Sequence, residues 1–170
     1  MARALDPQDS GEVGRLLSGA LRTIENARTC WLATASGSKD PSLRPMGRLP
    51  PEPGDDWTLR FVTDGRSRKA AEIRRAGKAA LAFQQDADEA FVALTGRASL
   101  EERESEVRRL WKKAYDPFFP TQTDRANAAF LTVEADRLDL WIRGLTPEPF
   151  GMRATTLERD ATGAWRLTAS

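Results

Sequence analysis

The sequence predicts a mainly β fold with a few inserted helices, an antiparallel barrel or sandwich whose openings the helices cover. Short runs of alternating apolar and polar residues recur along the chain, rich in β-branched and aromatic residues. Helical periodicity is confined to three segments, and no strand–helix–strand alternation of a parallel sheet is visible. At 170 residues the chain suits a single domain with a real core. Residues 1–27 form its N-terminal helical part and 143–170 a C-terminal hairpin extension.

Pro7 to Ala27 reads as a helix, with Leu16, Leu17, Ala20, Leu21 and Ile24 on one face and Asp9 and Glu12 as a capping box. Thr29 to Ser36 alternates as a strand. Gly37-Ser38-Lys39-Asp40 supplies a turn, and Ser42 to Leu49 returns as a strand that Pro45 marks as an edge or a bulge. Pro50 to Asp56 is a proline-rich loop. Trp57 to Thr63 is a strand with Trp57, Leu59, Phe61 and Thr63 on one face. Asp64-Gly65-Arg66 breaks it, and a helix follows from Ser67 to Ala76, stopped by Gly77. Ala79 to Gln84 and Ala90 to Ser99 form a hairpin about the polar turn 86–89. Glu101 to Tyr115 is expected to be the second long helix, with Val107, Leu110, Trp111 and Ala114 as its apolar stripe. Asp116 to Asn127 reads as a loop. Ala128 to Val133 and Arg137 to Ile142 are two strands, and Met152 to Leu157 pairs with Trp165 to Thr168.

Composition removes several function classes. The 26 basic and 25 acidic residues nearly cancel, which argues against a dedicated nucleic-acid binder. No apolar run approaches the ~20 residues that span a bilayer, and the polar N-terminus carries no secretory signal, so a cytoplasmic setting is expected. The single cysteine, Cys30, can form no intramolecular disulfide and is expected to be buried and inert. Histidine is absent, which excludes histidine general bases, Ser-His-Asp triads, Cys-His dyads and Cys/His zinc sites. No metal site is expected, and a catalytic side chain is not identifiable. A bound cofactor is the simplest carrier of any chemistry.

The most informative stretch runs from Phe61 to Ala71, where a strand, a glycine-containing turn and a helix start follow one another. Arg66, Arg68 and Lys69 crowd a helix N-terminus that is already electropositive, with Ser67 as its cap. A phosphate held by backbone N–H groups and these side chains would account for them; a solvated basic turn accounts for them equally on local chemistry alone. The spacing is neither that of a P-loop nor that of a Rossmann fingerprint. Trp31, Trp57 and Trp111 fall on apolar faces and are expected in the core. The acids at 86, 88 and 89 read as a solvated turn. Arg108, Arg109, Lys112 and Lys113 form a basic helix patch.

In order and spacing these motifs resemble the pyridoxamine 5′-phosphate oxidase-like FMN-binding split barrels, and most closely their bacterial general-stress branch. The resemblance rests on Ser42-Leu43-Arg44-Pro45-Met46, the Thr63 turn with Ser67-Arg68-Lys69-Ala70, and Gly96-Arg97-Ala98. Leu110-Trp111, Phe118-Phe119-Pro120 and Leu138-Asp139-Leu140-Trp141 complete it, so that it covers residues 24–142. It implies a Greek-key-like split β-barrel, FMN as cofactor and a homodimer with the flavin at the interface. By resemblance Arg44, Pro45, Met46 and Gly47 lie along the flavin and Val62 and Thr63 touch it. Arg68 and Lys69 hold its phosphate with help from Ser67, and Trp141 approaches it from the partner subunit; Trp141 reads equally as a core or interface residue. The chain departs from the oxidase itself at Phe91, where the family member has a glutamine, and in lacking the C-terminal Arg-x-His segment, for which Arg153 is a poor match. Vitamin B6 oxidation is therefore not expected. The implied activity is that of a flavin-dependent oxidoreductase of unspecified substrate, with a nicotinamide or another small molecule as electron donor. A flavin-binding sensor or carrier with little turnover, and a related ligand such as haem or a deazaflavin on the same barrel, remain open.

Overall fold

The computed structural model describes residues 7–36, 40–54 and 57–168, with side chains from residue 11 onward. The Asp9 side chain, half of the expected capping box, is not among the described side chains, and residues 37–39 of the expected turn lie outside the described residues. Helix α1 (Pro7–Asn26) leads into β1 (Thr29–Ala35) and β2 (Pro41–Gly47). After β3 (Thr58–Asp64) come α2 (Arg68–Ala76) and the hairpin β4 (Lys78–Gln85) and β5 (Ala90–Glu101). Then follow α3 (Glu104–Leu110), a 3₁₀ segment (Lys113–Phe118), α4 (Gln122–Ala126), β6 (Ala128–Ile142), β7 (Thr155–Arg159) and β8 (Trp165–Thr168).

All pairings among the described strands are antiparallel, in the order β2-β1-β4-β5-β6-β7-β8, with β3 also on β6. The first half of β6 lies between β5 and β3, the second half between β5 and β7. Strand β2 is an edge, where Pro45 costs no ladder bond. No pairing joins β2 to β3 among the described residues, so the sheet is split there. The Leu49 N–H, just after β2, donates to the Arg60 carbonyl of β3 at 2.8 Å and ties the two edges together there.

The core follows from alternation. Leu32, Phe61, Leu81, Phe83, Leu94 and Leu138 point inward, and α1 covers them with Val13, Leu16, Ala20 and Ile24. No described helix is long and apolar enough to cross a membrane.

Four expectations are corrected. The helix expected over 101–115 does not start at Glu101, which stays in β5 opposite Phe130. Nor does it pass Leu110: Trp111 turns extended, donates its indole N–H to Asp116 at 2.9 Å and meets Tyr115 and Phe119 edge-on at 5.6 and 5.3 Å. Aromatic packing overrides the helical stripe. The expected loop 116–127 contains α4, whose start is closed by a reciprocal Thr121–Asp124 capping box. The two strands expected at 128–133 and 137–142 are one. The apparent break is a β-bulge: Gly96 pairs with Ala135 and Thr95 with Arg137, so Asp136 is the extra residue and the inward face shifts by one. Finally, Trp31 is not core: it stands 51% exposed on the outer face of β1.

Candidate functional site

A cavity of about 460 Å³ opens at the split between β2 and β3. One wall is Pro45, Met46 and Gly47 from the edge strand with Arg48 and Leu49 after it; the other is Val62, Thr63 and Asp64. Lys69 closes one end, and Ala114, Tyr115, Phe118, Phe119 and Asp124 roof it. The roof is rigid because Tyr115 and Phe119 are anchored in a second apolar cluster with Val107, Ala128 and Phe130, against which Trp111 packs. Phe118, by contrast, stands at the lip 75% exposed.

The turn between β3 and α2 is locally determined. The Ser67 N–H donates to the Asp64 carbonyl at 3.0 Å, and the Ser67 hydroxyl accepts from the Ala70 N–H at 3.4 Å. Ser67 is thus the helix cap, and Gly77, at φ 62°, ends the helix where a side chain would be strained. The N–H groups of the first turn have no intrahelical acceptor, and no acid stands in that turn.

The basic residues around it have different fates. Arg66 is engaged by Asp64 at 2.7 Å and Asp124 at 3.4 Å; the Arg66 contact holds the Asp64 carboxyl below its ordinary range, while Asp124 is lowered first by its hydrogen bonds from Thr121 and to a smaller extent by Arg66. Arg68 reaches Glu72 at 3.6 Å and is otherwise largely exposed. Arg44 binds the same carboxylate at 3.2 Å. Lys69 alone makes no ion pair among the described residues; burial, and then the charge of Arg44, push its ammonium below the usual lysine value. Beside it the hydroxyl of Thr63 is buried with no hydrogen-bond partner. A cation outside any ion pair, offset only in part by the charge of Asp64, and an orphaned hydroxyl at a helix start fit an anionic ligand.

Of the residues expected at the site, Pro45, Met46, Gly47, Val62, Thr63 and Lys69 line the cavity. Arg44, Ser67 and Arg68 stand behind or beside it. Trp141 does not reach it within one chain: it pairs with Phe91 across β5 and β6, and Phe91 stacks toward Phe150. Arg153 lines a separate groove with Glu148, Met152 and Thr155. Of the expected basic patch, Arg108 pairs with Glu104 and Arg109 with Glu106 on α3, while Lys112 and Lys113 lie beyond the end of that helix. Among the described residues no group of acids, cysteines or histidines could hold a metal. The sequence reading missed Glu72, although an acid four residues after Arg68 on a helix was a signal for it. It also gave no role to Tyr115 and Asp124, which reach the cavity only through the fold.

The sequence matches the profile described as "Pyridoxamine 5′-phosphate oxidase like" over residues 19–148. The chain belongs to that family. A search of curated proteins gives no match. Among solved structures, it is similar to a general stress protein 26-related protein of Clostridium acetobutylicum, with 16% identity and a TM-score of 0.67, covering 85% of this chain and 94% of that one. It is similar also to a pyridoxamine 5′-phosphate oxidase-related, FMN-binding protein of Nostoc punctiforme, at 20% identity and TM-score 0.66 over 98% of each chain. PhzG of Burkholderia lata, solved with tetrahydrophenazine-1-carboxylic acid, is 17% identical with TM-score 0.65, over 98% of this chain and 97% of that one. At these identities the likeness is one of fold. It makes the open sheet of this family member a split barrel, the expected fold class.

Proposed function

We propose that the chain binds FMN in the cavity between β2 and β3, with the phosphate at the start of α2, and acts as a flavin-dependent oxidoreductase. The observation that carries this reading is Lys69, half-buried at that helix start with no ion pair among the described residues, although the charge of Asp64 reaches it, and lining the same cavity as the orphaned Thr63 hydroxyl. Lys69 and the first-turn N–H groups would bind the phosphate, and Thr63 would supply a hydrogen bond to the ligand. The backbone of Pro45 to Gly47 would orient the ring system, while Tyr115 and Phe119 exclude water above it. When bound, the flavin supplies the redox chemistry, so the lack of histidine is no obstacle. The expected setting is the cytoplasm, and the expected donor a nicotinamide or another small molecule.

The reading includes a homodimer. The outer face of β1 and β2 exposes Trp31 and Leu43 (58% exposed) beside Pro45, which also lines the cavity. A second copy seated on that face would cover an apolar patch and border the open side of the site. Trp31→Glu should convert a dimer to a monomer in sedimentation; a wild-type monomer would remove this part.

The deciding experiment is titration of apo-protein with FMN, followed by flavin fluorescence, with riboflavin as the control. FMN should bind roughly 100-fold more tightly, the scale of one or two charge-assisted contacts. Equal affinities would overturn the phosphate placement, and no binding of FMN would overturn the function.

A further inference from the structure

Glu72 gathers contacts from four residues near the site, yet it does not line the cavity. It sits on the second turn of α2, only 4% exposed. One of its oxygens accepts from the Thr34 hydroxyl at 2.5 Å and from Arg44 at 3.2 Å. The other accepts from the Ser42 hydroxyl at 3.2 Å and faces the Nε of Arg68 at 3.6 Å. Its contacts thus come from β1, β2 and the first turn of α2, the elements on two sides of the anion position. Arg44 is doubly fixed, since its other guanidinium nitrogen donates to Thr34.

We propose that Glu72 is the positioning residue of the phosphate site: it fixes Arg44 by a hydrogen-bonded ion pair and draws the Nε edge of the more exposed Arg68 to the same carboxylate, and thereby sets both guanidinium groups, and the distance between edge strand β2 and α2, before the ligand arrives. The inference rests on the reading of the cavity as an FMN site. Three features support it. A long arginine free in solvent loses side-chain entropy when it binds an anion, and a buried carboxylate that already holds it removes much of that cost. The contact to Arg68 uses only its Nε edge, leaving the outer nitrogens free to donate. Glu72 also brings one negative charge against the three positive charges of Arg44, Arg68 and Lys69, so the cluster stays cationic and Glu72 does not cancel it. The arrangement is the anion-site counterpart of the outer groups that orient metal ligands.

The competing role for Glu72 is purely structural, a buried polar knot between helix and sheet. The two roles differ in what they do to phosphate recognition. The test uses Glu72→Gln, which keeps volume and removes the charge, and Thr34→Val, which keeps Glu72 but removes a hydroxyl that holds it. FMN and riboflavin are titrated into each apo-protein, and the ratio of their dissociation constants is compared. For Glu72→Gln the preference for FMN should fall on the order of tenfold with riboflavin affinity unchanged, the scale of losing one well-made charged contact. For Thr34→Val it should fall less, in the same direction. In the Arg44→Ala, Arg68→Ala background Glu72→Gln should have almost no further effect on the ratio, because the residues through which it acts are gone. An unchanged ratio in both single variants, equal loss of both ligands, or tighter FMN binding by Glu72→Gln would each overturn the positioning role. A wild-type protein that does not distinguish FMN from riboflavin would instead overturn the reading of the site itself.

Discussion

Gly96 passes so close to Glu134 that a Cβ built on it would lie 1.8 Å from the Glu134 carbonyl oxygen. The approach is backbone against backbone at the bulge where β5 changes register on β6, and neither strand can retreat, since β6 is also held by β3. Gly96→Ala should therefore destabilise the protein by about 2–4 kcal/mol, as an overpacked core site does. Urea denaturation checks this. A loss below about 0.5 kcal/mol, the level of an ordinary surface change, would mean the strands separate more easily than the register implies.

Lys69 should give FMN binding a pH dependence that riboflavin lacks. Burial and the neighbouring Arg44 hold its ammonium below the ordinary lysine value in the free protein. A bound phosphate favours the charged form and raises that value, so binding is linked to proton uptake. Affinity for FMN should be full at neutral pH and fall as the pH rises through the free-protein value, below the usual lysine pKa of about 10.4. Lys69→Met should bind FMN more weakly by ~1.5–3 kcal/mol and lose this alkaline limb. Parallel pH curves for FMN and riboflavin in the wild type would exclude Lys69 as the phosphate ligand.

Cys30 should resist thiol reagents in the folded protein. It is buried in β1 and burial pushes its thiol up to about 12. At neutral pH almost no thiolate exists to react. A chromogenic disulfide reagent should titrate one thiol after denaturation and react only negligibly before it. Fast reaction of the native protein would show that β1 opens readily.

The pair Glu101–Arg103 should contribute to acid stability. The Arg103 side chain and backbone N–H hold the Glu101 carboxyl at about 2. A carboxyl lowered by folding stabilises the folded state above its unfolded value, near 4.3, and this contribution is lost as the pH falls toward the folded value. NMR titration should place Glu101 well below the other exposed glutamates, and Arg103→Ala should return it to their range. An ordinary value in the wild type would mean that the contact does not persist in solution.

Local signals were legible in the sequence and distant ones were not. Ser67 and Gly77 bracket α2 because a capping hydroxyl and a left-handed glycine act within one turn of the chain. Pro45, which marked an edge or a bulge, lies on the edge strand β2. The basic cluster after Thr63 was visible too, but that Asp64 engages Arg66 while Lys69 makes no ion pair among the described residues shows only in the fold. Trp111 was misread because its partners Asp116 and Phe119 break the helix only through packing. The bulge at Asp136 looked like a break because a shift of inward face and a turn leave the same mark on alternation. Glu72 escaped notice because its partners Thr34, Ser42 and Arg44 lie on other strands.

Strand β6 has a consequence for how the site comes into being. It is shared among β3, β5 and β7, yet it follows nearly everything it pairs with in the chain. A nascent chain can zip β1 on β2 and β4 on β5 early, since these are neighbours in sequence. Strand β3 has no partner among the described strands until residues 128–134 arrive, so the far wall of the cavity stays unmoored while the near one is already in place. Closing so long a loop is the entropically expensive step of folding. The cavity should thus be among the last features to mature, and a ligand that bridges its two walls would act as a clasp on the final step of assembly.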